Sequence, residues 1–532
     1  YNSTTGFMEG YAAAGWAPIA QPPTITGLSP LTTLTSGGVL AGWDAGTKIM
    51  ASDSEANDEF GNSVSMSSDG TRVIVGALYE DTGGTNAGSA YIFALSGGSW
   101  SQEAKIQASD KQADDRFGKS VSMSSDGTKV IVGAGGEDTG ATDAGAAYIF
   151  ALSGGSWSQQ AKIQASDKQA SDYFGVSVSM SGDGTRVIVG AYAEDTGGTN
   201  AGSAYIFAYS SSSWSQEAKI QASDLSASEL YGVFGIGVSM SSDGTRVIVG
   251  AQGEDTGATN AGAAYIFAYS SGSWSQEAKI LASDPEATDN FGYTVSMSGD
   301  GARVIVGARY EDTGGTSAGA AYIYAYSSGS WSQEAKIQAS DIQASDEFGW
   351  SVSMNSDGTK VLVGAAKEDT GATDAGAAYI FALSGGSWSQ QAKIQASDLQ
   401  VSDYFGTSVA MSGDGTKVLV GTFLEDTGGT SAGAAYIFDY APNTIYDTST
   451  QVFTATGTGI VSGSTVQLEG ADGTLYSVFD ATAAGTQVTF KMGTLGASGG
   501  YAVAQQPYKL KVNSTSGLIG TSTAAIGFAV GW

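Results

Sequence analysis

Apolar residues along most of this chain fall at every second position in short runs, not at the three-and-four spacing of a helix. The stretch Phe60-Gly-Asn-Ser-Val-Ser-Met-Ser-Ser-Asp-Gly-Thr-Arg-Val-Ile-Val-Gly-Ala is the type example. Val64 and Met66 share one face of a strand over Ser63–Ser67, here strand A. Asp69-Gly70 supplies a tight hairpin turn, because both residues tolerate positive φ. The unbroken Val-Ile-Val of Arg72–Ala77 predicts a strand B buried on both faces. Strand C is expected over Ala90–Leu95. A Ser-Gly-Gly-Ser turn then leads into strand D, Trp100–Ile106, where Trp100, Gln102, Ala104 and Ile106 share one face.

The same phrases return along the chain. Lys-Ile recurs with Lys at 48, 105, 162, 219, 279, 336 and 393, and Phe-Gly with Phe at 60, 117, 174, 234, 291, 348 and 405. The spacing is 57 residues except for one gap of 60, a three-residue insertion within Leu225–Val233 of the fourth copy. Seven units of four short strands with glycine-marked turns predict an all-β fold, a seven-bladed β-propeller with four-stranded blades. A β-solenoid is the rival, but its coils are usually shorter. The last copy stops after strand C at Ala435-Tyr-Ile-Phe438, and the missing strand D stands at the other end as Trp43-Asp-Ala-Gly-Thr-Lys48-Ile49. The N-terminal strand is therefore expected to complete the seventh blade and close the ring, which leaves no exposed sheet edge. Residues 39–440 make up this unit.

Phe-Gly, Asp-Gly, Val-Gly-Ala and Gly-x-x-Tyr-Ile-Phe, in that order, resemble the FG-GAP repeat of the integrin α-subunit propeller and of many bacterial and viral surface proteins. The resemblance covers about three quarters of the chain and implies the propeller fold. Many members hold Ca²⁺ in the A–B loop on alternating acids and amides. Here Ser65, Ser67 and Val73 stand at those positions, and only the Asp of Asp-Gly remains: Asp69, Asp126, Asp183, Asp243, Asp300, Asp357 and Asp414. One carboxylate with serines is a poor cage for a cation that takes six to eight oxygens, so a hairpin turn is the plainer role.

Residues 441–532 carry no repeat but show alternating runs such as Gln451–Thr456, Ser464–Leu468, Gln487–Lys491 and Tyr508–Val512, the pattern of a β-sandwich. They resemble an IPT/TIG-type immunoglobulin-like domain whose first strand is displaced to Pro22-Pro23-Thr-Ile-Thr-Gly-Leu-Ser-Pro30, within residues 22–38. The expected organisation is thus a propeller inserted into a loop of a sandwich; a linker, a propeller and a separate C-terminal domain is the alternative. Residues 1–21, aromatic and glycine-rich, resemble the β-stubs of virion fibre proteins. Asn2-Ser-Thr and Asn513-Ser-Thr match the glycosylation sequon.

Composition then narrows the chemistry. The 532 residues hold 53 Asp+Glu against 23 Lys+Arg, a net charge of -30, with no His and no Cys. Disulfides, thiol nucleophiles, histidine bases and zinc sites built on His or Cys are excluded. So is nucleic-acid binding through a broad basic footprint. No apolar run reaches the length of a membrane-spanning helix. Of the metals, only hard cations such as Ca²⁺ remain, and no cofactor is expected beyond that.

The acids are not evenly placed. The B–C loops repeat Glu-Asp seven times: Glu80-Asp81, Glu137-Asp138, Glu194-Asp195, Glu254-Asp255, Glu311-Asp312, Glu368-Asp369 and Glu425-Asp426. B–C and D–A loops emerge on the same rim, which places 35 of the 53 acids on one face. Solvated loops that keep the protein soluble are one reading of that rim; a site for Ca²⁺ or a cationic partner is the other. On the same face the fourth-copy insertion carries Leu230 and Tyr231, candidate partner anchors. The Trp series (Trp43, Trp100, Trp157, Trp214, Trp274, Trp331, Trp388) is expected to pack the blades.

These features favour a non-enzymatic structural or adhesive protein on a virion or cell surface. Its expected partners are other proteins of that surface and a host receptor or glycan, without nucleic acid. The alternative class is a carbohydrate-active hydrolase or lyase using carboxylate pairs.

Overall fold

The computed structural model describes residues 43–224 and 233–440 in full and, outside them, strands alone. Two compact units divide the chain, one of residues 43–439 and one joining residues 1–42 to 440–532.

The larger unit is all-β and seven-bladed. In the first blade strand A is Phe60–Met66, B is Arg72–Ala77, C is Ser89–Ser96 and D is Ser99–Ile106, hydrogen-bonded in that order. Strand B is buried along its length after Arg72, as its apolar run requires, while D alternates exposed and half-buried residues at the outer edge. Strand A begins three residues before the expected Ser63, because Phe60 pairs with Ala77 across a register shift that precedes Ser63↔Gly76. In the last blade Thr47–Ile49 pairs antiparallel with strand C, Ala434–Ala441, so the N-terminal strand closes the ring as expected.

The core lies between blades. Ile74, Ile92 and Ile106 of the first blade pack with Phe117, Val132, Tyr148 and Phe150 of the second, and Trp157 leans on the same cluster. Phe-Gly is the seam that holds the pair. The Phe117 N–H donates to Ala87 O at 3.0 Å, and its ring meets Tyr148 and Phe150 edge-on at 5.6 and 5.9 Å. Gly118 has φ +96°, and a Cβ there would stand 2.3 Å from Ser89 O. Phe60↔Gly433 repeats this bridge between the last and first blades.

In the smaller unit, Glu9–Ala12 and Gly15–Pro18 form a hairpin. Thr24–Pro30 pairs with Val452–Thr458 in a four-stranded sheet, and a second four-stranded sheet holds Thr465–Glu469, Leu475–Ser477, Tyr508–Asn513 and Ile519–Ile526. Leu230 and Tyr231, like Asn2, lie outside the described residues. Among the described residues no helix is long and apolar enough to cross a membrane.

Candidate functional site at the channel mouth

The Glu-Asp pairs sit where the topology requires, but their side chains divide. Every Glu of the seven turns inward and is at most 5 % exposed. The reason is the strand-D lysine. In the second blade Lys162 Nζ stands 2.7 Å from Glu137 Oε1 and 2.7 Å from Asp110 Oδ2, and donates to Thr139 Oγ1 at 3.0 Å. The Tyr148 hydroxyl donates to Asp110 at 3.0 Å, and the Lys162 ammonium lies 5.5 Å from the Tyr148 ring centre. The same Asp–Lys–Glu cluster recurs in all seven blades, from Lys48 with Asp398 and Glu425 to Lys393 with Asp341 and Glu368. Burial alone would raise Glu80, yet hydrogen bonds from Lys105, Ser89 and Thr82 outweigh it and hold its carboxyl below the usual range. These glutamates brace the outer rim of each blade instead of facing solvent.

The exposed Asp of each pair caps its own loop: Asp81 accepts the Asn86 N–H at 2.8 Å and Asp138 that of Asp143 at 2.8 Å. Those residues need the help, since Asn86 and Asp143 have φ of 55° and 51°. The Asp-Gly aspartates are committed as well. Asp69 accepts the Ser67 hydroxyl at 2.7 Å and the Thr71 N–H at 3.0 Å, a side-chain-closed turn. Burial would raise Asp69, but these bonds prevail and hold it low. The same Ser or Thr partners serve Asp126, Asp183, Asp243, Asp300 and Asp414, while Asp357 accepts Thr359. Among the described residues no three acids stand together as a metal cage.

A further set of residues comes into view when the seven copies are compared with one another for what differs. Framework positions scarcely change. The residue on each side of Phe-Gly changes in nearly every copy, as do the two residues before Glu-Asp. After Phe-Gly stand Asn62, Lys119, Val176, Ile236, Tyr293, Trp350 and Thr407; before it stand Glu59, Arg116, Tyr173, Val233, Asn290, Glu347 and Tyr404. The pairs before Glu-Asp run from Leu78-Tyr79 through Arg309-Tyr310 and Ala366-Lys367 to Phe423-Leu424.

Antiparallel pairing of A with B brings all four positions of a blade to one end of its innermost hairpin, where Tyr79 N–H meets Asp58 O at 3.4 Å. The residues after Phe-Gly, one from each blade, line a central cavity of about 380 Å³, with Phe423 beside them. This is a size typical of small-ligand sites, about 300–1,000 Å³.

The contacts made there are irregular, unlike those of the framework. Tyr173 and Tyr192 stack at 5.6 Å and 7°. Tyr404 and Phe423 stack at 5.9 Å. The Arg309 guanidinium sits among three rings, 3.9 Å from the centre of Tyr293, 4.5 Å from Tyr310 and 4.7 Å from Trp350. Lys367 pairs with the buried Glu347 at 2.7 Å. Burial pushes Glu59 up to about 7 against the pull of nearby Lys119, and burial lowers Lys119 in turn. The sequence signal for this site is the set of differences within the repeat.

A closed ring of seven near-identical four-stranded blades defines a β-propeller scaffold with one asymmetric opening. The FG-GAP repeat model matches residues 43–93, 100–150, 157–207, 214–267, 274–324, 331–381 and 388–438. The chain belongs to the FG-GAP repeat family. No curated protein matches it. Among solved structures it is similar to Kuenenia stuttgartiensis hydrazine synthase, at 12% identity over 71% of this chain and 96% of that one with a TM-score of 0.45. The β-propeller domain of Myceliophteria thermophila Cps50 (Swd1) matches at 11% identity over 74% and 99%, with a TM-score of 0.48.

Proposed function

We propose that this protein is a non-enzymatic recognition module displayed outside the cell, on a virion or a cell surface, and that it engages its target at the channel mouth. One observation carries the reading: the framework strands stay nearly constant while the residue after Phe-Gly, different in all seven blades, lines one cavity. Binding to a surface ligand uses many varied contacts, whereas catalysis rests on a few fixed groups. The smaller unit, in this reading, is an immunoglobulin-like sandwich that accepts the propeller as an insertion. With the N-terminal stub it fixes the propeller to other structural proteins. Pairing of Thr24–Pro30 with Val452–Thr458, on either side of the propeller in sequence, supports the insertion.

Fluorescently labelled full-length chain should bind intact cells of a susceptible host saturably. Absence of binding to every cell and particle surface tested would overturn the reading.

The rival, a carbohydrate-active enzyme, has Glu59 in its favour, a carboxyl pushed up to about 7 as a general acid requires. Its charged neighbour is Lys119, whereas glycosidases pair two carboxylates across the scissile bond. Release of reducing ends from a polysaccharide panel, abolished in Glu59→Gln, would favour the enzyme.

A further inference from the structure

The charge of the mouth runs opposite to that of the molecule. Its variable positions carry four cations, Arg116, Lys119, Arg309 and Lys367, against two carboxylates, Glu59 and Glu347, in a chain of net charge -30. The fourteen cations at fixed repeat positions are all occupied. Strand-D lysines hold two acids each, as Lys105 holds Asp53 and Glu80. Strand-B cations hold a glutamate, the neighbouring turn carbonyls or Asp439, as Arg186 holds Glu217 at 3.0 Å and Lys129 holds Gly184 O at 3.1 Å.

Of the mouth cations Lys367 is paired in the same way, with Glu347, and the other three are not. The Nε–H groups of Arg116 and Arg309 are buried without an acceptor. The Lys119 ammonium feels the attraction of Glu59 and the repulsion of Arg116. Arg309 comes no nearer than 3.9 Å to the Glu347 carboxylate, whose Oε2 is itself unpartnered. Buried donors without acceptors are costly and rare in finished structures; Arg309 packs on Tyr293 and Trp350, which line the cavity.

We propose that the channel mouth binds a carboxylated sugar, its carboxylate received by Arg309 and its ring laid on Tyr293 and Trp350, the cavity-lining rings against which Arg309 packs. This rests on the recognition reading above and names its ligand class. A guanidinium held flat among rings is pre-set for two-pronged contact with a carboxylate, because its rotamer freedom is already spent. Trp350 and Tyr293 are half-buried and line the cavity. A sugar offers an apolar C–H face to such rings and hydroxyl edges to the Ser and Thr residues below them, Ser63, Ser120 and Thr294 among them. An acidic peptide shares the charge but needs an extended groove or a sheet edge, and this cavity is ringed by seven already paired inner strands.

The test uses the full chain on an array of uronate- and sialate-bearing oligosaccharides, each printed beside its methyl ester, with an oligo-aspartate peptide as a further arm. At least one acid should bind, its ester at least tenfold more weakly. Arg309→Gln should weaken the acid at least tenfold while the melting temperature holds; should that variant unfold, Arg309→Lys, which keeps the charge and loses the two-pronged fork, takes its place and should weaken the acid likewise. Lys111→Gln, on an outer loop, should bind as the parent does. Equal binding of acid and ester, no carboxylate-dependent binding at all, or preference for oligo-aspartate would overturn the proposal. Labelled chain that still binds cells while every sugar fails leaves the recognition reading standing; loss of cell binding removes that reading itself.

Discussion

The outer rim and the channel mouth occupy the same end of the propeller and are built on opposite rules. At the rim each blade repeats one solution: a strand-D lysine between two acids, under a tyrosine, with the Glu sealed from water. At the mouth no two blades agree, and buried donors stand without acceptors. Rim positions are tied to partners in their own blade, so a change in one leaves another uncompensated. The residues after Phe-Gly line the cavity instead. A density of charged residues is therefore a poor guide to function in this molecule, and a lack of uniformity is a better one.

That contrast can be pressed at several points. The largest loss should come from the seam: Phe117→Ala removes a fully buried ring and is expected to cost about 3–5 kcal/mol, seen as a lower denaturation midpoint. Lys162→Met should cost a similar or slightly smaller amount, about 3–5 kcal/mol at most, because Glu137 and Asp110 are left without their cation. A smaller effect than predicted there would mean the clusters brace little.

A pH effect separates the rim's two kinds of acid. Burial raises Asp58, Asp115, Asp172, Asp289, Asp346 and Asp403 to about 6, each with a nearby B–C glutamate adding to it. Folded chains then hold these protons more tightly than unfolded ones between pH 3.8 and about 6, so this contribution to stability is full below that window and lost as pH rises through it. Asp115→Asn, which keeps an acceptor for the Gln112 N–H, should gain in melting temperature relative to the parent on going from pH 4 to pH 8. No change in the difference would contradict the assignment.

At the mouth, Val176→Asn should shift stability by no more than about 0.5 kcal/mol, since Asn62 already fills the equivalent place in the first blade. The smallest effect belongs to metal removal: a chelator should leave the melting temperature unchanged, because the turn aspartates are satisfied by Ser and Thr.

Most of the scaffold was legible from residues alone. Period, turn and alternation locate the four strands, and the displaced Trp43–Ile49 strand announces the closure. The placement of the acids on one rim follows from topology. What periodicity could not show is that the rim glutamates are buried, because that depends on Lys162, Ser89 and Gln107-type side chains arriving from other strands. The mouth is marked in sequence only by differences within the repeat, and that residues such as Lys119 and Trp350 share one cavity follows only from the closed ring.

The most direct test gives every blade the cavity-lining residue of the third. Val, as at Val176, would replace the residue after Phe-Gly in each other copy. That chain should melt within a few degrees of the parent and no longer bind the surface or sugar that the parent binds. Undiminished binding by this uniform chain would contradict recognition at the mouth.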